Sequence, residues 1–136
     1  MLFNHNGYLI YEFPNNWCVE ENAANLLLYN PDGNGAISMS FFNVLDRSKS
    51  LDEQISILAK KFIDQNNINL HSPLILLSKE GKTLLYGTGT TSDDWYVKIW
   101  IVAKSPKIVF ATYQSERKNP EVKMCDLIMD SIKFRF

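Results

Sequence analysis

Oxygen-bearing side chains at alternate positions early in the chain match part of a calcium-binding loop. Asn30, Asp32 and Asn34 occupy every second position, and Gly35 falls where such a loop turns sharply. An EF-hand in this register also needs a bidentate glutamate at its twelfth position, where this chain has Phe41. The flanking segments have strand-like patterns, whereas an EF-hand requires helices. We therefore predict a hairpin turn here, without a metal ion.

Other residues with catalytic potential lack the partners that their chemistry requires. The glycine-rich run that begins at Gly87 has no Lys-Ser/Thr pair after its second glycine, as a phosphate-binding P-loop would. Asp93 and Asp94 form a pair of carboxylates in a predicted turn, with no His or Lys placed to assist them. His71 lies in a polar linker, and no serine has a G-x-S-x-G context. We predict no catalytic residue and no cofactor.

The two cysteines and two histidines are too dispersed for a zinc motif. Cys18 and Cys125 are far apart in sequence, and neither His5 nor His71 supplies a cluster of ligands. The first residues contain no basic stretch before an apolar run, so we expect a cytoplasmic protein with free thiols. An exported form whose leader has been removed is the alternative.

Length and composition indicate a soluble globular protein with one domain, residues 1–136. Hydrophobic residues make up 46% of the chain and charged residues 21%, which is ordinary for this class. Fourteen basic and fifteen acidic residues give a net charge of -1, without the basic excess that binding to nucleic acid requires. No apolar run approaches the roughly twenty residues of a membrane span.

The apolar periodicity predicts an α+β fold with strands and two helices. Ser50 and Glu53 form a capping box before a helix at 50–66, and a second helix follows Pro120 at 120–132. The apolar run at 74–77 shows no alternation, which predicts a strand covered on both faces. Further extended segments are predicted at 8–13, 17–19, 25–29, 36–41, 82–91, 95–103 and 107–115. Short links favour antiparallel pairing, so we expect an antiparallel sheet of six to eight strands flanked by the two helices, an α/β/α sandwich.

A polar surface is predicted on one face of this sheet from an assumed strand register. If Thr90 pairs with Trp95 and Ala103 with Lys107, alternation places a polar group at one end of the face and an apolar group at the other. The missing side chains of the two glycines would leave a shallow gap in the polar end. The candidate binding residues are Tyr96, Lys98, Thr112, Gln114, Gly87 and Gly89. The alternative is that this region is only the solvated end of a sheet.

Several patterns follow one another in a recognisable order: a Tyr-rich first strand, a Pro before Trp17, a Pro-Asp-Gly hairpin, an early helix, the strands at 95–103 and 108–113, and a closing helix that ends in Asp-Ser-Ile-Lys-Phe. This order resembles the PsbP-like fold. The fold is shared by the PsbP subunit of photosystem II, a Ran-GTPase nucleotide-release factor and small bacterial families. It implies an antiparallel sheet between helices and a mostly non-enzymatic, protein-binding role. No functional motif can be transferred residue by residue.

The expected function is therefore a non-enzymatic protein-interaction domain of an adaptor, chaperone or immunity-like protein, whose partner is another protein. The alternative is a small-molecule-binding protein, or an enzyme of unrecognised type, that uses the sheet face around Tyr96 and Lys98. An enclosed cavity with convergent polar groups favours a ligand, whereas an exposed apolar patch favours a protein partner. The sequence gives no indication of how many copies of the chain associate.

Overall fold

A large antiparallel sheet forms the centre of the molecule. The computed structural model describes residues 2–21, 25–44 and 47–136. The strands are β1 (Leu2–His5), β2 (Leu9–Glu12), β3 (Cys18–Glu21), β4 (Asn25–Tyr29), β5 (Ala36–Asn43), β6 (Asn69–Leu70), β7 (Ile75–Lys79), β8 (Lys82–Thr90), β9 (Tyr96–Lys104), β10 (Lys107–Ser115) and β11 (Lys133–Phe134). The helices are α1 (Leu51–Gln65) and α2 (Glu121–Asp130). Eight strands form the main sheet in the order β3-β4-β5-β10-β9-β8-β6, with β7 also paired to β8, which confirms the predicted α+β class.

The segment between β4 and β5 is a hairpin turn, as predicted. The backbone amide of Gly33 donates to the carbonyl oxygen of Asn30 at 2.8 Å, and the amide of Asp32 donates to the Asn30 side chain at 3.0 Å. This side-chain bond is the Asx turn that asparagine favours in tight turns. β4 and β5 pair on either side of it, with Tyr29 opposite Ala36. The oxygen-bearing side chains therefore shape a turn.

Helix α1 covers one face of the main sheet. The backbone amide of Glu53 donates to Ser50 Oγ at 3.1 Å, so the predicted N-cap is confirmed. Ile55 and Ala59 are fully buried on its inner side. They pack with alternate residues of the central strands, namely Leu85, Val97, Ile99, Ile101, Ile108 and Phe110. Period-two alternation then directs the intervening residues to the opposite face.

The opposite face is covered by α2 together with a small second sheet. This sheet has the order β1-β2-β11, and it contributes the fully buried side chains of Leu9 and Tyr11. Helix α2 adds Val122, Cys125 and Ile128 to the same hydrophobic cluster. The second sheet was not predicted, although its β2 strand lies within the predicted segment 8–13. None of the helices in the described ranges is both long and apolar enough to cross a membrane.

The apolar run at 74–77 is not covered on both faces, which corrects the prediction. It enters β7, which pairs with β8 at the margin of the sheet, where Ile75 and Leu76 remain 46% and 43% exposed. The strands covered on both faces are β9 and β10, in the middle of the sheet. An apolar run without alternation thus fits an exposed edge strand as well as a buried one.

Candidate functional site

The predicted register of the central strands is wrong by one residue on both sides of β9. Thr90 lies opposite Tyr96, because Trp95 remains in the turn, where its carbonyl oxygen accepts from the amide of Thr91 at 2.9 Å. Lys107 lies opposite Lys104 across a two-residue turn that contains the cis Ser105-Pro106 peptide. A shift of one residue in pairing changes which residues share a face.

The six candidate binding residues consequently do not form one surface. Tyr96 and Lys98 lie on the face that α2 covers, and Tyr96 is only 6% exposed. Thr112 lies opposite Ile99 on the face that α1 covers. The glycines leave no gap, since a Cβ atom at Gly87 would meet the Leu74 side chain, and one at Gly89 would meet Ile68 and the Asn69 backbone. Gln114 shares the Thr112 face and is exposed.

Lys98 instead lies in a groove between α2 and the edge of the main sheet. The groove has a volume of about 460 Å³. Its floor is formed by β7, β8 and β9, and its wall by α2. We call it the α2 groove, and it is lined by Leu77, Lys79, Leu84, Tyr86, Lys98, Trp100, Asp126, Leu127, Met129 and Asp130. Tyr96 does not line it.

The polar groups at the centre of the α2 groove bind one another. Lys98 Nζ lies 2.6 Å from Asp126 Oδ1, and Trp100 Nε1 donates to the same oxygen at 3.0 Å. The Lys98 ammonium also lies 5.5 Å from the ring centroid of Tyr86 and 5.4 Å from that of Trp100, within cation–π range. The cation is thus satisfied by one carboxylate and two aromatic faces.

Two further lysines attach the end of α2 to the sheet. Lys79 Nζ forms an ion pair with Asp130 Oδ1 at 2.8 Å, and this bond raises the pKa of Lys79. Lys82 Nζ donates to the carbonyl oxygens of Asp130 and Ile132 at 2.9 and 2.6 Å. Burial lowers the pKa of Lys82, and its position beside the last carbonyls of α2 complements the helix dipole. These contacts hold the groove wall in place.

The rim of the α2 groove carries exposed apolar side chains. Leu127, on α2, is 63% exposed, and Ile75, on β7, is 46% exposed. Ile75 lies opposite Tyr86 in the β7–β8 pairing, so it shares the sheet face that bears the groove. The groove therefore has an apolar entrance and a neutralised polar centre.

The sequence contains a weak signal for this site in α2, whose buried apolar stripe is bordered by acidic residues. Asp126 and Asp130 are four residues apart, and Asp126 follows Val122 by four, so the acids lie along the margin of the stripe. Carboxylates in that position can reach polar groups on the sheet face that α2 covers. Their partners could not be chosen without the correct register of β8 and β9.

The remaining candidate groups show no catalytic arrangement in the part of the chain that the structure describes. His71 is exposed, and its ring nitrogens lie 3.1 and 2.8 Å from the hydroxyls of Thr88 and Thr90. Cys18 and Cys125 are free thiols, the first half-buried and the second buried. Within residues 2–21, 25–44 and 47–136, no three His, Cys, Asp or Glu side chains are grouped as metal ligands would be.

No protein-family model matches the sequence, and no curated protein matches it. Solved structures do resemble it. The solution structure of cyanobacterial PsbP (CyanoP) from Synechocystis sp. PCC 6803 matches with a TM-score of 0.75 and 9% sequence identity, over 99% of this chain and 92% of that one. A crystal structure from Bacteroides thetaiotaomicron VPI-5482 matches with a TM-score of 0.56 and 14% identity, over 96% of this chain and 46% of that one. The chain has the PsbP-like fold.

Proposed function

We propose that this chain is a non-enzymatic protein-interaction domain, of an adaptor, chaperone or immunity-like protein, which binds another protein through the α2 groove. The single observation that carries the proposal is the exposure of Leu127 at the groove and of Ile75 on the same face of the sheet. Contiguous apolar side chains at the surface are characteristic of sites that proteins bury when they associate. Side chains that fill such depressions supply much of the binding energy at interfaces.

The pairing of the polar groups supports a protein partner over a reaction. A general base or acid must be matched to a substrate proton, whereas Asp126 Oδ1 accepts from Trp100 and lies against the Lys98 cation, which favours the ionised carboxylate. An apolar side chain can enter the groove without breaking these bonds. Binding of that kind leaves no buried charge without a partner.

A second function is favoured by the size of the groove. A volume of about 460 Å³ lies within the roughly 300 to 1,000 Å³ typical of small-molecule sites. A small ligand, or the substrate of an unrecognised enzyme, would contact Lys98 there. An anionic ligand would have to compete with Asp126 for the ammonium group, which lies 2.6 Å away.

Affinity capture with matched variants tests the protein-interaction proposal. Tagged wild type, Leu127→Glu and Ile57→Glu are each used to capture proteins from a lysate of the native host. Ile57 is 49% exposed on α1, so its substitution adds the same charge at a similar helical position away from the groove. We expect a protein that is retained by wild type and Ile57→Glu and reduced at least tenfold by Leu127→Glu.

Identical capture by all three proteins would contradict the use of the groove.

Native mass spectrometry of the purified chain tests the second function. A bound small molecule that is present in wild type and absent from Lys98→Met would favour it.

A further inference from the structure

Strand β7 presents an open apolar edge of the main sheet. In the described part of the chain it pairs only with β8, and its other edge carries backbone groups that no strand satisfies. Ile75 and Leu76 are exposed at this edge, one on each face of the sheet. Edges of this kind are templates for pairing with another strand, and proteins usually protect them with charged side chains.

The opposite edge of the main sheet is protected in that way. Its last strand, β3, is four residues long and ends in Glu20 and Glu21. Glu20 accepts a hydrogen bond from the Tyr29 hydroxyl at 3.2 Å, and Glu21 contacts His5 at 3.3 Å. β7 carries one charged side chain, Lys79 at its end, and its other four residues carry no charge, so β7 is the edge better suited to association.

We propose that β7 pairs with β7 of a second copy of this chain, in an antiparallel two-fold arrangement centred on Leu77. A two-fold axis normal to the sheet keeps each side chain on its own face, and residues that lie opposite each other in a sheet must share a face. Because side chains alternate between faces along a strand, the sequence numbers of two opposed residues must differ by zero or by an even number. Centring on Leu77 meets this condition and uses all five residues of β7.

The side chains of β7 are self-complementary in this register. Leu77 faces its own counterpart on the α2 side, Leu76 faces Ser78 on the α1 side, and Ile75 faces Lys79. No like charges are opposed, because the only charged residue of the strand, Lys79, lies opposite an apolar one. The Lys79 cation is also neutralised within its own copy by Asp130 at 2.8 Å. A net charge of -1 adds little repulsion between copies.

The pairing has a consequence for the α2 groove. The two-fold axis normal to the sheet places both α2 helices on the same face, on either side of the paired β7 strands. Leu77, which lines the groove in each copy, then lies at the junction. Two open grooves become one trough with a strand floor and a helix on each side. The pairing of the two β7 strands does not require that another protein be bound in the groove.

Sedimentation of the purified full chain tests the pairing without any other protein. Wild type should show a concentration-dependent dimer, and Leu76→Lys and Ile75→Lys should each weaken it at least tenfold, since charge on an edge opposes pairing. Ile57→Lys, with an exposed apolar residue on α1, is the matched control and should dimerise as wild type does. Thermal unfolding checks that each variant is folded.

A cysteine placed at the centre of symmetry tests the register. In a Cys18→Ser background, Leu77→Cys should form an intermolecular disulfide under mild oxidation, because opposed residues of antiparallel strands place their Cα atoms about 4.5 to 5.5 Å apart, within the range that a disulfide spans. Leu84→Cys, on the neighbouring strand, should not. The proposal would be overturned by a wild type that stays monomeric at every concentration, even if that protein paired with a strand of another protein. A dimer that Leu76→Lys leaves intact would also overturn it. Neither result would affect the protein-interaction proposal, whose capture experiment uses Leu127→Glu.

Discussion

Glu121, in the first turn of α2, accepts a hydrogen bond from the backbone amide of Gly35 at 3.3 Å, although the two residues are 86 positions apart. The same carboxylate oxygen accepts from the amide of Asn34 at 3.3 Å and from the Tyr113 hydroxyl at 2.8 Å. The turn that superficially matches a calcium loop therefore directs its amides at a carboxylate. This contact joins the β4–β5 hairpin to the helix that forms the wall of the α2 groove.

Substitution of Gly35 should destabilise the fold. A Cβ atom there would overlap the backbone carbonyl oxygen of Gln114 and the ring of Tyr113, neither of which can move freely. We expect Gly35→Ala to lower the free energy of unfolding by about 1 to 3 kcal/mol, the usual cost of overpacking. Gly33→Ala is the comparison variant: its Cβ would meet the end of the Glu121 side chain, which can turn aside at the cost of its hydrogen bonds, so we expect a smaller loss than at Gly35, where backbone is met. Chemical denaturation of both variants measures the difference, and an equal or greater loss in Gly33→Ala would contradict this account.

Calcium should leave the Tm unchanged. A ligand that binds the native state raises the Tm as its concentration increases. Asp32 is the only carboxylate within the turn, and the Asn30 side chain is used by the turn itself. Thermal unfolding in increasing calcium, with magnesium as a control for ionic strength, gives the measurement. A dose-dependent rise with calcium alone would show that the turn binds the ion.

The contact between Lys98 and Asp126 should be measurable as a coupling energy. In a double-mutant cycle with Lys98→Met and Asp126→Asn, we expect a coupling of about 1 kcal/mol in the free energy of unfolding. The Lys98 side chain is 12% exposed, so its pair is screened less than a surface pair, whereas Asp126 is 43% exposed and limits the effect. Asp126→Asn keeps an oxygen that can accept from Trp100, which isolates the ionic part. Strictly additive single variants would show that the pair contributes nothing.

Stability should fall in alkaline solution from about pH 9. Burial raises the pKa of the Cys125 thiol from 9.0 to about 12, so the native state holds this proton more tightly than the unfolded state. The contribution of the protonated Cys125 thiol to the free energy of unfolding is complete below pH 9. It is lost as the pH rises from 9 towards 12, by up to about 1.4 kcal/mol per pH unit. Burial also raises the pKa of Tyr113 from 10.0 to about 12, which adds a loss from pH 10 upward. Lys82, whose pKa is lowered, acts in the opposite direction as the pH approaches 10.5.

The variant Cys125→Ala separates the thiol from these other groups. It should be less stable than wild type at pH 8, because it removes atoms from a fully buried side chain. Between pH 9 and 10, before the tyrosines contribute, its stability should decline less steeply than that of wild type. Denaturation at a series of pH values measures both slopes, and parallel curves would rule out a contribution from the thiol.

Local patterns predicted the elements that depend on neighbouring residues. The Ser50 cap and the apolar spacing of α1 are decided within one or two turns of helix, and the hairpin at 30–35 is decided by its turn residues. The long strands β8, β9 and β10 carry strong β-forming sequences. The resemblance to the PsbP-like fold implied that these strands form an antiparallel sheet between helices. The comparison of structures confirms the PsbP-like fold.

The candidate surface could not be predicted because strand register depends on a single turn residue. Trp95 looks like the first residue of a strand, yet it stays in the turn, and this places every residue of β9 opposite a different partner of β8. Period-two alternation converts that shift into a change of face. Tyr96 thereby becomes a buried residue, and its replacement by alanine should destabilise the protein rather than leave the fold intact. The second sheet was missed because β1 and β11 are short.

A photo-crosslinking residue at position 127 tests the central claim, that the α2 groove contacts a protein partner, most directly. A benzophenone amino acid replaces Leu127 in one variant and Ile57 in another, because both side chains are exposed on helices. After illumination in the native host, the position-127 variant should form a covalent adduct with a second protein, while the position-57 variant forms none or at least tenfold less. Equal crosslinking from both positions, or adducts from position 57 alone, would contradict the assignment of the groove as the interaction site.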